Sequence, residues 1–150
     1  MLVRVEDGPF RGVNARSVAS RVRAMGDCLQ LGDVELSVVL TSDERIRILN
    51  RDYRRKDRPT DVLAFPMREG ELGGVSGEIL GDVIVSVPRA REQARDRSVD
   101  LKAELTMLLA HGLLHLLGWD HVTAAQDRRM RKETERLCRA ANQKPRTLGT

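Results

Sequence analysis

The stretch His111-Gly112-Leu113-Leu114-His115-Leu116-Leu117-Gly118-Trp119-Asp120-His121 decides how this chain is read. The sequence has 3 histidines, and all of them fall inside it. His111 and His115 are four residues apart, so on a helix they stand one above the other on one face and reach a common point. Gly118 comes three residues later, where a helix that stops needs a residue free to turn left-handed. The chain can then fold back and bring His121 to the same point. Neutral imidazoles suit zinc, and three protein nitrogens leave the fourth tetrahedral position open to water, as in catalytic rather than structural sites. A lone histidine on an apolar helix face is more often satisfied by a neighbour than by a metal. Here the spacing, the glycine break and the absence of histidines elsewhere agree, and His111, His115 and His121 are the candidate ligands of one zinc ion per chain.

The same spacing occurs in the long zinc-protease signature H-E-x-x-H-x-x-G-x-x-H, whose glutamate takes the proton from water. This chain has Gly112 in that place. Without the carboxylate no group is placed to act as that base, so the ligand geometry survives and peptide hydrolysis becomes a poor reading.

Working outward, the segment from Asp100 to Leu117 reads as a long core helix rich in Leu and Ala. Thr123 and Gln126 have the spacing of a capping box and open a last helix through Met130 and Leu137. Beyond Ala141 the tail is expected to fray. On the N-terminal side, Leu80 to Ser86 reads as a buried strand, and Pro88 suits the first turn of a helix with Ala90 and Ala94 on one face. Gly70, Gly73, Gly74 and Gly77 mark a long loop between Met67 and Ile79, a candidate cover for the site. Val34 to Leu40 alternates and then turns wholly apolar, as a strand does on entering the middle of a sheet. Thr41 and Glu44 have capping-box spacing for a helix with Ile46, Leu49 and Tyr53 on its buried side. Pro59 bars helix at the residue before it, which places the basic run from Arg54 to Arg58 in a loop feeding a short strand from Val62 to Phe65. Leu2, Val3 and Val5 suit an edge strand, and Asn14 caps a helix bearing Val18, Val22 and Met25, with Gly26 and Gly32 bracketing its end.

A chain of 150 residues is the size of one domain and buries a core without disulfides or a structural metal. Cys28 and Cys138 match no C-x-x-C pattern and read as reduced thiols, which points to the cytoplasm. Glu6 and Asp7 stand where a secretory signal needs an apolar block, and no run is long enough to span a bilayer, so no membrane is implied. The net charge of +4 is spread over a chain with 32% charged residues, and the distribution says more than the sum. Arg51, Arg54, Arg55, Lys56 and Arg58 crowd one stretch; Arg128, Arg129, Arg131 and Lys132 crowd another. Such runs are commonly no more than a solvated surface. With 3% aromatic residues there is little to stack on bases, so a nucleic acid would be held through its phosphates.

Three blocks together resemble the YbeY family of bacterial endoribonucleases, single-domain rRNA maturation factors. They are the histidine stretch, the run from Tyr53 to Pro66 with Pro59-Thr60-Asp61-Val62-Leu63, and Leu80-Gly81-Asp82 ahead of the second buried strand. Their order and separations also match, and the likeness runs from about Val34 to about Leu137. Ala64 stands where the family usually has Ser, which bears on local hydrogen bonding. The resemblance implies an α+β domain with a mixed β-sheet packed against helices and a zincin-like metal-binding helix, with zinc on His111, His115 and His121. It implies hydrolysis of single-stranded RNA in rRNA maturation and ribosome quality control. It also implies a catalytic Arg54 near the metal, a substrate-binding Lys56, and association with a small-subunit ribosomal protein and an assembly GTPase.

The chemistry is consistent with this. Zinc brings the pKa of water to about 7 without the missing glutamate, or polarises a phosphoryl oxygen while the RNA 2′-hydroxyl attacks. A guanidinium meets two phosphorane oxygens at once where an ammonium meets one, which suits Arg54. Asp120 is either a partner that orients His121 or a bare helix-end carboxylate. The rival readings are a zincin-type metalloprotease and a non-catalytic ribosome-assembly factor with a structural metal.

Overall fold

A computed structural model describes residues 1–67 and 79–143. The glycine-marked loop and the tail from residue 144 lie outside the described residues. The helix that carries the first two histidines, Leu101–Leu116, is apolar on almost every face, which is the pattern of a helix buried on all sides. Asp100 caps it by accepting from the Ala103 N–H at 2.7 Å. In chain order the elements are β1 (Leu2–Val5), α1 (Ala15–Cys28), β2 (Glu35–Thr41), α2 (Asp43–Arg54), β3 (Val62–Pro66), β4 (Ile79–Ser86), α3 (Val87–Asp96), α4 (Leu101–Leu116) and α5 (Ala124–Asn142).

The sheet order is β1-β2-β4-β3, with β1, β2 and β4 parallel and β3 antiparallel at the edge. This is the mixed sheet of an α+β fold. Alternate strand residues face opposite sides, as the two-residue period requires. Val38, Leu40, Val83 and Val85 join Val22, Met25, Leu109, Leu113 and Leu137 in the main core under α1, α4 and α5. Val39, Leu63 and Ile84 join Ile46 of α2 in a smaller core on the other face. Gly112 lets α4 lie directly on the sheet: a Cβ there would stand 2.6 Å from Val83 Cγ1 and 3.2 Å from Val62 Cγ2.

Several expectations hold in detail. Asn14 accepts from the Arg16 and Ser17 N–H groups, and Thr123 and Gln126 form the reciprocal capping box. Val18, Val22 and Met25 are buried on α1. Both cysteines are free thiols. Gly26, in the last turn of α1, and Gly32, beyond it, bracket the end of that helix.

Three expectations are corrected. Ser42, not Thr41, caps α2, accepting from the Arg45 N–H. The strand runs one residue further than its apolar run suggests: Thr41 pairs with Ser86 in the parallel ladder and is fully buried, its hydroxyl without a partner among the described residues. Glu44 is therefore not a capping-box residue and pairs with Arg47 instead. Tyr53 is 70% exposed; the buried stripe of α2 is Ile46 and Asn50, and the Asn50 amide donates to the Arg58 carbonyl at 2.9 Å. Finally, α2 continues to Arg54, so Arg51 and Arg54 are helical, and only after Arg55 turns left-handed at φ 57° does the basic run enter a loop. Pro59 restricts the residue beside it, too far downstream to end the helix earlier.

Candidate metal centre

The three imidazoles meet where α4 stops. Leu117 closes the helix, Gly118 takes φ 90°, the Gly118 N–H donates to the His115 carbonyl and the Trp119 N–H to the Leu114 carbonyl. This is the six-to-one and five-to-two bond pair of a Schellman stop, which reverses the chain within two residues. The reversal aims the Trp119 carbonyl at His115 Nδ1, 3.0 Å away. A proton on Nδ1 donates to that carbonyl and leaves the lone pair of Nε2 facing His111. Asp120 Oδ1 accepts from the His121 backbone N–H at 2.8 Å, so this carboxylate holds the backbone of His121 rather than its ring.

His111 Nε2 and His115 Nε2 are 3.0 Å apart, and one ligand nitrogen from each of the three histidines lies within 4.8 Å of the others. Two imidazoles bonded to one tetrahedral zinc at 2.0–2.1 Å would stand about 3.3 Å apart. The donor set therefore fits a zinc ion with little adjustment. Burial, then the neighbouring His115 and His121, lower the pKa of His111 against the opposing pull of Asp61 and Asp127. Burial also lowers His115, outweighing its bond to Trp119, and the charges of His121 and Arg54 act in the same direction. Both shifts favour the neutral ring, the form that binds a metal. Among the described residues no fourth His, Cys, Asp or Glu joins the group, which leaves it open on one side.

Arg54 sits at the end of α2 and reaches across to β3, donating from Nη2 to the Ala64 carbonyl at 2.5 Å. Its guanidinium carbon lies 5.2 Å from the centroid of the Phe65 ring, which Tyr53 meets edge-on at 5.6 Å. Because the partner at position 64 is a backbone carbonyl, Ala in place of Ser does not disturb this bond. Lys56 is exposed, and none of its side-chain atoms makes a hydrogen bond or ion pair among the described residues. Arg51 is taken by Asp52. Of the first basic stretch, then, Arg54 is anchored on β3 and close enough to act electrostatically on His115, whereas Lys56 stands in solvent.

Beside the histidines lies a cleft of about 410 Å³, lined by His111 and His121 with Arg97, Met107, Asp127 and Arg131 but not by Arg54. From the second basic stretch only Arg131 lines it, paired with Asp127 at 2.5 Å. Arg128, Arg129 and Lys132 border a different surface of α5. Sequence reasoning missed Arg97, which reaches the cleft from the turn between α3 and α4. Met107 carried a signal, standing one helical turn before His111.

The edge of the sheet beside the site is blunted. In the β3–β4 register Val62, Ala64 and Pro66 alternate with the residues whose backbone bonds to β4, so their own backbone groups face the open side. The Val62 N–H is taken by Asp61 Oδ1, the Ala64 carbonyl by Arg54, and Pro66 has no N–H to offer. These occupied positions disfavour the addition of an extended peptide here as a further strand.

A mixed sheet backed by helices, with three imidazoles converging at the end of one of them, defines a zincin-like α+β domain with a candidate metal centre. The comparisons make the assignment narrower. Residues 13–142 match the family model described as Endoribonuclease YbeY, and the chain belongs to that family. The Endoribonuclease YbeY of Anaeromyxobacter sp. (strain Fw109-5) is 45% identical over 141 residues, covering 93% of this chain and 72% of the relative. That of Aquifex aeolicus (strain VF5) is 49% identical over 107 residues, covering 71% of this chain and 69% of the relative. The solution structure of TM1509 from Thermotoga maritima superposes with a TM-score of 0.64 at 27% identity, covering 94% of this chain and 89% of that one. Among the described residues no helix is long and apolar enough to cross a membrane.

Proposed function

We propose that this protein is a zinc-dependent endoribonuclease that cleaves single-stranded RNA, acting in rRNA maturation and ribosome quality control. The observation that carries the reading is the convergence of three imidazoles, with an anchored arginine close enough to act on His115, in a chain whose relatives are named endoribonucleases. His111, His115 and His121 would hold the ion. Zinc, when bound, supplies Lewis acidity that polarises a phosphoryl oxygen and acidifies water. Arg54 presents its remaining N–H donors to the phosphate, where negative charge grows during phosphodiester cleavage, and its bonds to Ala64 and Phe65 fix it before the substrate arrives. Lys56 adds a mobile charge toward the RNA backbone. The small-subunit ribosomal protein and the assembly GTPase belong to the same proposal.

Two features oppose the peptidase reading. A glutamate at position 112 would have to grow into Val83, so the protease base has no room, and the partly occupied edge of β3 disfavours an extended peptide. The test is cleavage of a labelled rRNA precursor by metal-quantified protein. The reading expects discrete cuts in single-stranded segments that stop with chelator and return with zinc. Intact RNA at full metal occupancy, or casein cleavage with the same chelator response, would overturn it.

A further inference from the structure

We propose that Arg97, held by the buried Glu104, is a second phosphate-binding cation of this site, in the cleft that His111 and His121 line and Arg54 does not. The inference rests on the endoribonuclease reading and extends it: the RNA strand would be gripped on both flanks of the cleaved linkage.

The backbone of Arg97 is pinned between two helices. Its N–H donates to the Gln93 carbonyl at the end of α3, Ser98 turns left-handed at φ 57°, the Val99 N–H returns to the Ala94 carbonyl, and Asp100 at once caps α4. Its side chain is 57% exposed and brings Nη1 to 3.6 Å from Glu104 Oε1, whereas Glu104 is 1% exposed. Among the described residues the other carboxylate oxygen of Glu104 has no hydrogen-bond partner. A buried acid so poorly satisfied costs stability and calls for a reason. At 3.6 Å the attraction is electrostatic and no hydrogen bond is made, so the guanidinium is held while its donors stay available. Glu104 stands two helical turns before His111 on the same face of α4, about 10 Å along the axis. The cation it tethers therefore overlooks the histidines from the N-terminal side of that helix.

The cleft supplies the second line of evidence. Arg97 shares it with His111 and His121, and Arg54 is not among its lining residues. The other arginine there, Arg131, already gives its guanidinium to Asp127. Among the described residues Arg97 is thus the cation of this cleft whose side chain makes no hydrogen bond, and phosphate is the anion that its flat, multiple-donor geometry takes well. Glu104 acts through Arg97 and is a positioning residue.

The experiment uses the zinc-loaded full chain and an RNA oligonucleotide with one cleaved linkage. Single phosphates away from that linkage are replaced in turn by neutral 2′-deoxy methylphosphonates. Wild type is expected to lose about tenfold in kcat/KM at one flanking position, the usual scale for a charge-assisted hydrogen bond. Arg97→Ala should lose about as much on unmodified RNA, mainly through KM and with full zinc, and should be insensitive to methylphosphonate at that position. Arg97→Lys should recover part of the loss. Glu104→Gln, which keeps the shape, should lose less, and the double variant should be no worse than Arg97→Ala. If Arg97→Ala cleaves like wild type, or keeps the wild-type response to every methylphosphonate, the ion pair is structural and the inference fails. If wild type itself cleaves no RNA, the endoribonuclease reading fails first and takes this one with it.

Discussion

The histidine stretch and the basic stretch from Arg51 to Arg58 each concentrate one kind of side chain, 3 histidines in the first and five cations in the second, yet the fold treats them in opposite ways. It gathers one ligand nitrogen of each histidine to within 4.8 Å, and of the cations it anchors Arg54 on β3 while Lys56 and Arg58 stay exposed. The difference is one of charge and of local geometry. Neutral imidazoles pack together at little cost, and a four-residue step plus a Schellman stop brings them together without help from the rest of the chain. Cations repel one another, so a run of them disperses unless acceptors draw one out, as the Ala64 carbonyl and the Phe65 face do for Arg54.

The comparison can be strained hardest at Gly112. Gly112→Glu would complete the protease signature, but its side chain must enter the space of Val83 and Val62. The expected result is a loss of about 3 kcal/mol of stability in urea unfolding, with no peptidase activity gained. A folded variant that cleaves casein would mean that this face of α4 is free. Arg54→Ala comes next: RNA cleavage should fall about a hundredfold while zinc content stays at the wild-type level, and Lys should rescue poorly. Normal cleavage would reduce Arg54 to one more solvated charge. Smaller again is the joint replacement of Arg55 and Arg58 by Ala. The log–log salt dependence of single-stranded RNA binding should flatten by about one unit, at roughly 0.7 per phosphate contact, with kcat unchanged. An unaltered slope would show that these cations never touch the strand.

The smallest effect concerns Glu104. Burial raises its pKa above the ordinary 4.5, with Arg97 opposing. The unfolded chain releases this proton near 4.5 while the folded one still holds it, so stability falls as pH rises from there through the folded value and stays lower above it. Glu104→Gln escapes that loss and should be the more stable form at neutral pH, with the gap closing below 4.5 in urea titrations at several pH values. A wild type more stable than the variant at pH 7 would mean that Arg97 more than compensates for burial.

What could be read without coordinates was whatever a few neighbouring residues determine. The caps at Asn14 and Thr123, the buried faces of α1 and α3, and the stop at Gly118 are local patterns. Thr41 and Ser42 are adjacent hydroxyl residues, either able to cap, and the choice was made by Ser86 on β4, far along the chain. Tyr53 lies at the margin of the buried stripe of α2, where the edge of β3 leaves it uncovered. The Arg54 bond to Ala64 and the Arg97 pairing with Glu104 depend on where whole elements lie. A buried glutamate two turns before His111 was the available hint to the second, and it reads as an ordinary charged helix residue until the surrounding packing is known.

The central claim is that the histidine stretch holds one zinc ion and that the ion is needed for RNA cleavage. The direct measurement is zinc per chain by elemental analysis, taken together with cleavage of a labelled single-stranded rRNA precursor, for wild type and for His115→Ala. The account expects about one zinc per chain and cleavage in wild type, and the loss of most of both in a variant that still folds. Full zinc occupancy in His115→Ala, or undiminished cleavage by metal-free protein, would contradict it.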